Sequence, residues 1–195
     1  MCNLSNMKLG NSNKRRVTVS LHHRGRLSLR ENRTRLDHDA YHWGILITPK
    51  TFTGPRCQQY DVSDAFRSDP ATSQDMNPER KWYFRTKVKI DPTKEPTLLG
   101  RVVIGKLANR ITDEKIKDVL STVSLPDEDK AKGESCVTWC LNAVEALQKA
   151  GMIKRFDVEA FRRTALEKAD LFIKTPAEDH VYVYDQKRQA CTVAV

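Results

Sequence analysis

The sequence predicts an α+β fold in which a short antiparallel sheet packs against a Cys-bearing helix. Three observations carry that expectation. In the first half of the chain, β-branched and aromatic residues alternate with polar ones in several short runs. Between Ser135 and Ala150 the apolar residues recur at helical spacing instead. A second helical pattern runs from Val158 to Lys174 and ends before Pro176.

Residues 1–14, rich in Asn and Ser, are expected to form a disordered basic tail, which leaves 15–195 as a single domain. Arg16-Val17-Thr18-Val19-Ser20-Leu21-His22 alternates as a first strand should, whereas the charged residues 25–39 read as a loop. The aromatic and β-branched run from Tyr41 to Thr48, stopped by Pro49, is a central strand. A turn through Thr53-Gly54-Pro55 leads into residues 57–62, placed to pair with it as a hairpin. Residues 63–78 are Asp, Ser, Asn and Pro in character and predict a mobile surface excursion. Alternation returns from Lys81 to Ile90, closed by Asp91-Pro92, and residues 98–107 suggest a further strand. Thr112 opens a short helix that ends before Pro126. In the strongest helix, Val137, Cys140, Leu141, Val144 and Leu147 trace one face, with Ser135 as N-cap and Gly151 as the stop. Val181-Tyr182-Val183-Tyr184 adds an edge strand.

Composition narrows the function classes. A chain of 195 residues that is 39% hydrophobic can bury a core without disulfides or metals. No apolar run approaches the ~20 residues that cross a bilayer, and the N-terminal stretch lacks the apolar segment of a secretory signal. A cytoplasmic or nuclear protein without a membrane span is therefore expected. Cys2, Cys57, Cys136, Cys140 and Cys191 are odd in number and contain no CxxC pair, which argues for thiols and against a disulfide framework or a structural zinc site. His22, His23, His38 and His180 have no ligand-like spacing, so neither a metal nor a cofactor is expected. Of the net charge of +9, residues 1–35 hold nearly all, with nine Lys and Arg against Glu31 alone. One reading is polyanion or nucleic-acid contact from Arg15 to Arg35 through counterion release. The other is a solvated tail followed by a polar loop, since no aromatics are interleaved there for base stacking.

A thiol attacks as its thiolate, which the first turn of a helix favours through unpaired N–H groups and the positive end of its dipole. Cys136 holds such a position, directly after Ser135. A base in reach of the sulfur and a third polar side chain holding that base complete the chemistry. His42 on the central strand and Asp61 on its hairpin partner are of the right types, because opposed antiparallel side chains lie about 5 Å apart. Each also has a structural reading: Cys136 as a small buried apolar residue, His42 as a core histidine, Asp61 as the cap of a strand end. Cys140, one turn on, belongs to the apolar face. Trp43, Trp82 and Tyr83 pack a sheet in the structural reading, while Trp43 or Trp82 in a substrate groove is the functional one. Arg101 and Lys106 flank an apolar strand and are candidates for holding a substrate carboxylate or phosphate.

The run Tyr41-His42-Trp43-Gly44-Ile45-Leu46-Ile47, a following strand with a polar residue, and a later helix opening with Cys136 together resemble the circularly permuted papain-like superfamily, related to NlpC/P60 and lecithin:retinol acyltransferase proteins. The chain also resembles a set of small fungal proteins with a strand HWAxLxGPK and a helix NCxxWxxxALxxL, matched by residues 42–50 and 135–147. The resemblance spans about residues 16–174. It implies a papain-like fold and the order His, polar residue, Cys, which falls here on His42, Asp61 and Cys136 as catalytic residues. Two positions depart from the pattern: Ser135 stands in place of Asn, and Asp61 where relatives often carry His. The implied activity is cysteine-dependent acyl transfer on a small-molecule or peptide acyl substrate, as an amide or ester hydrolase or as an acyltransferase. Two rivals stand beside it: a non-catalytic interaction protein of the same fold, and a polyanion-associated or nucleic-acid-associated protein led by its basic N-terminal segment.

Overall fold

Six strands, β1 (Arg16–His23), β2 (Tyr41–Thr48), β3 (Cys57–Ser63), β4 (Tyr83–Ile90), β5 (Leu98–Lys106) and β6 (Val181–Val183), form one sheet in the order β4-β3-β2-β1-β5-β6. The computed structural model describes residues 14–51, 55–129, 132–175 and 180–185. The expected tail, apart from Lys14, lies outside the described residues, as do Cys2 and Cys191.

Neighbouring strands are antiparallel except β6, which joins β5 in parallel. The short antiparallel sheet expected from the sequence is thereby corrected to a six-stranded mixed one. A parallel neighbour requires a long crossover, and α2 (Asp113–Ser121), α3 (Cys136–Lys149) and α4 (Val158–Phe172) all lie between β5 and β6 in the chain. Such a pairing joins segments distant in sequence, so alternation within either strand carries no sign of it.

Alternation sorts the strand side chains onto two faces. Val19 and Leu21, Trp43 and Ile45, and Val102 and Ile104 join the Val137, Cys140, Val144 and Leu147 face of α3 in one buried cluster. The intervening positions are polar and nonetheless buried, among them Thr18, Ser20, His22, Gln59 and Asp61. Buried polar atoms need partners. Thr18 Oγ1 donates to the Leu46 carbonyl at 2.9 Å, and Ser20 Oγ donates to the Gly44 carbonyl at 3.2 Å.

Both ends of α3 follow from the local sequence. Ser135 is extended and forms a capping box with Thr138, satisfying first-turn N–H groups that have no helical partner. At the other end Gly151 adopts a positive φ of 66°, and the Gly151 and Met152 N–H groups return to the Gln148 and Leu147 carbonyls at 3.0 Å each. That pattern is a Schellman stop, which favours glycine at the left-handed position.

The expected loop over residues 25–39 is corrected as well. It contains a 3-10 turn at Gly25–Ser28, the helix α1 (Arg30–Leu36), and a second 3-10 turn at Asp37–Ala40. No residue of α1 is buried, so hydrophobic periodicity gives no signal for it. It is docked electrostatically instead: Arg33 donates twice to the Asp170 carboxylate of α4, at 2.5 and 2.6 Å, and Tyr41 Oη donates to the same group at 2.6 Å. The polar stretch after β3 is organised by Asn77, which is 8% exposed. Its amide donates to the carbonyls of Asp64, Ala65 and Lys81.

Leu147 is fully buried between α3 and the sheet, whereas Val88 on the edge strand β4 is 60% exposed. Leu147→Ala is expected to cost roughly 2–5 kcal/mol by leaving a cavity. Val88→Ala should stay within about 0.5 kcal/mol of wild type. Urea denaturation of the two variants measures the contrast.

Candidate active site

Among the described residues, Asp61 makes the strongest demand, because its carboxylate is buried. Desolvating a charge is tolerated only where partners replace the water. Arg85 of β4 supplies two charge-assisted bonds, at 2.7 Å from Nε and 2.9 Å from a terminal nitrogen, and Asp61 and Arg85 are register partners. Gln59, two residues back on the same strand face, donates its amide at 2.8 Å. His42 Nε2 lies 3.2 Å from Oδ2. Burial alone would raise the pKa of Asp61, but the hydrogen bonds from His42 and Arg85 outweigh it and hold the carboxyl well below the usual carboxylate range.

His42 reaches Asp61 across a gap that Gly44 leaves open. A Cβ at Gly44 would stand 3.1 Å from the Asp61 Cβ, 3.2 Å from the Tyr60 carbonyl oxygen and 3.3 Å from Ser20 Oγ, all tight contacts. The His42 ring and Cys136 line the same cavity. Burial works against charge on this imidazole, yet its interactions with Asp61 and Cys136 prevail and raise its pKa to about 9. His42 therefore carries a proton at neutral pH, between the Asp61 carboxylate and the Cys136 sulfur.

Cys136 is the first residue of α3 and is 3% exposed. The capping box uses the N–H groups of Val137 and Thr138, which leaves the Cys136 N–H as the first-turn donor next to its own sulfur. The cap is itself anchored: Ser135 Oγ donates to Asp39 Oδ1 at 2.5 Å, and Arg24 Nη1 donates to the Asp39 carbonyl at 2.7 Å. A cavity of about 380 Å³ opens on these groups, with His42, Cys136, Arg24, Asp39, Trp82 and Arg85 in its lining.

His22 stands opposite His42 in the β1–β2 register, with ring centroids 5.9 Å apart. Its Nδ1 is 3.2 Å from Thr97 Oγ1, and its buried Nε2 has no hydrogen-bond partner among the described residues. Burial, reinforced by the charge on His42, lowers the His22 pKa to about 3, so this second imidazole is neutral. Cys140 lies one turn beyond Cys136 with no exposure, and burial pushes its thiol pKa up.

The structure brings His42, Asp61 and Cys136 together, and Trp82 lines the same cavity. It does not bring Trp43 or Arg101 there, which corrects both as substrate contacts of this site. Trp43 is one residue beyond His42, so alternation turns it into the apolar cluster, where it is 0% exposed. Arg101 lies on β5 opposite Ser20 and lines a different cavity. Four contributors escaped the sequence reading: Arg85, Gln59, His22 and Asp39. Gln59 was accessible through its i, i+2 relation to Asp61, whereas Arg85 and His22 depend on cross-strand register. Among the described residues, no cluster of His, Cys, Asp and Glu is built to hold a metal ion.

The two histidines predict opposite limbs in a stability-versus-pH profile. His42 has a folded pKa above its ordinary 6.5, so its contribution is complete below pH 6.5 and is lost as the pH rises toward 9. His22 has a folded pKa below 6.5, so its contribution is complete above pH 6.5 and declines as the pH falls toward 3. Urea midpoints followed across that range should pass through a maximum. His42→Gln should flatten the alkaline limb, and His22→Gln the acid limb just below pH 6.5.

None of the curated proteins and none of the solved structures matches the chain. One family model does, over residues 14–194, and it describes a family of unknown function, DUF6914. With nearly the whole sequence inside that match, from the start of the sheet through the Cys136 helix, the chain belongs to the DUF6914 family.

Proposed function

We propose that this protein is a cysteine-dependent acyl-transfer enzyme of the permuted papain-like type, with Cys136 as nucleophile, His42 as acid and base, and Asp61 as the group that orients His42. One observation carries the reading: a single imidazole bonds a buried carboxylate and shares a cavity with the thiol that opens a capped helix, and both neighbours raise its pKa. The permuted papain-like assignment draws on the chain order of His42, Asp61 and Cys136 and on the packing of a Cys-first helix against an antiparallel strand pair.

In this mechanism the Cys136 sulfur attacks the acyl carbonyl carbon while its proton rests on His42. Nε2 faces Asp61, so Nδ1 is the nitrogen that exchanges protons. The carbonyl oxygen becomes an oxyanion beside the Cys136 N–H, stabilised by that donor and by the helix start. As the bond to the leaving group breaks, His42 returns the proton to it and a thioester remains on Cys136. A second acceptor, water or an amine, loses a proton to His42, attacks the thioester and releases the thiolate. Asp61 fixes the tautomer and orientation of the ring throughout. Arg85 and Gln59 keep that carboxylate ionised and immobile.

A second reading, a non-catalytic protein of the same fold, draws on the 3% exposure of Cys136. Alkylation separates the two. With iodoacetamide at pH 7 and mass-spectrometric mapping, Cys136 should react at least about tenfold faster than Cys57 or Cys140. His42→Ala should slow Cys136 by about tenfold or more while the fold is retained. Hydrolysis of a simple activated ester should vanish in Cys136→Ala. Equal, slow labelling of all three buried cysteines would eliminate the enzymatic reading.

A further inference from the structure

The sheet carries a second constellation, at the end of β1 remote from His22. Arg16 opens β1, Thr48 closes β2 opposite it, and Lys106 closes β5 opposite it on the other side. A cavity of about 430 Å³ lies here, and Arg16, Lys50, Arg101 and Lys106 all line it. Among the described residues, no acidic one is part of that lining. Among the described residues Arg16, Lys50 and Lys106 make no salt bridge, although Arg15, adjacent in sequence, pairs with Asp113. Arg16 Nη1 is buried without a hydrogen-bond partner, and Arg101 is only 3% exposed.

Like charges gathered around one concavity repel each other, and a buried guanidinium nitrogen without an acceptor has lost its hydration for nothing in return. An anion removes both penalties. We propose that this cavity is a binding site for the phosphate group of a small molecule. Arg16, Lys50 and Lys106 suit a multiply charged oxyanion, since a guanidinium fork bonds phosphate oxygens in pairs and an ammonium acts as a compact counter-charge. The hydroxyl-bearing Thr18 and Thr48 add polar lining, while Val103 and Val181 provide apolar wall for the organic part. The volume is in the range of small-molecule pockets and well beyond a lone phosphate.

A small molecule suits the site better than a nucleic-acid chain, because the cations of the N-terminal segment do not form one surface. Arg15 is tied to Asp113 and to the Ile111 carbonyl, Arg33 to Asp170, and Arg24 to the Asp39 carbonyl beside Cys136. Arg16 is the member of that segment that belongs to the cavity.

The test uses the full chain, pyrophosphate as probe and low ionic strength, with binding read by calorimetry and by melting temperature. Pyrophosphate should bind and raise the melting temperature. Lys50→Gln with Lys106→Gln, both exposed positions that leave the fold intact, should weaken binding by about tenfold or more. Arg16→Gln should do the same, whereas Arg26→Gln with Arg30→Gln, exposed and outside the cavity, should leave binding unchanged. Absence of any pyrophosphate-dependent stabilisation would overturn the site. So would equal losses in the Lys50/Lys106 and Arg26/Arg30 pairs, which would reduce the effect to overall charge. A single-stranded oligonucleotide that binds tighter than pyrophosphate and depends on Arg26 and Arg30 would overturn it in favour of a polyanion surface. Thiol labelling of Cys136 in the Lys50/Lys106 variant should match wild type, keeping this result independent of the acyl-transfer reading.

Discussion

The ionised carboxylate of Asp61, without any contact with solvent, is the constraint around which three strands are arranged. Transferring such a charge from water costs several kcal/mol, and only a nearly complete set of donors offsets it. The donors come from β2, β3 and β4 together: His42, Gln59 and Arg85. A one-residue slip of β4 against β3 would turn Arg85 to the other face and leave the charge exposed to an apolar environment. The same reasoning accounts for Gly44, since a larger residue would occupy the space in which His42 meets the carboxylate. Fold and site thus impose one requirement on the sequence rather than two.

From that fixed carboxylate the order extends outward to the helix. Asp61 orients His42, His42 faces the cavity that the first residue of α3 also lines, and Ser135, which caps α3, bonds Asp39 shortly before β2. The start of α3 is therefore anchored by a side chain just before β2 and set toward a side chain within it. Arrangements of this kind meet the small tolerances that the proposed nucleophilic catalysis needs. They also explain how a largely polar strand face can be buried at all: Thr18, Ser20, Gln59 and Asp61 each bond a neighbour, while His22 Nε2 has none among the described residues.

Much of this was legible from residues alone, and the illegible parts share a cause. The strands from Arg16, Tyr41 and Cys57 and the helix after Ser135 announce themselves by period, cap and stop, and His42, Asp61 and Cys136 stand out as the residue types that such elements would present. What local pattern does not contain is partnership at a distance. Arg85 looks like any alternating charge on an edge strand until the β3–β4 register sets it against Asp61, and a register shift between Cys57 and Gln59 prevents that alignment from being counted off the turn. α1 has no apolar face because an ion pair with Asp170 docks it, and ion pairs leave no periodic trace. The parallel docking of β6 depends on α4 and the chain beyond it returning to β5, a relation spanning most of the C-terminal half.

β1 separates the two chemical centres and fixes their spacing. Six residues at about 3.3 Å each place Arg16 roughly 20 Å from His22 along one strand. The cavity beside Arg16 and the cavity that His42 and Cys136 line share no residue among the described ones. β1 hydrogen-bonds both β2, which carries His42, and β5, which carries Arg101 and Lys106. In the proposed site, an anion that neutralises the cations at that end removes a repulsion between β1, β2 and β5 and so stabilises their alignment there.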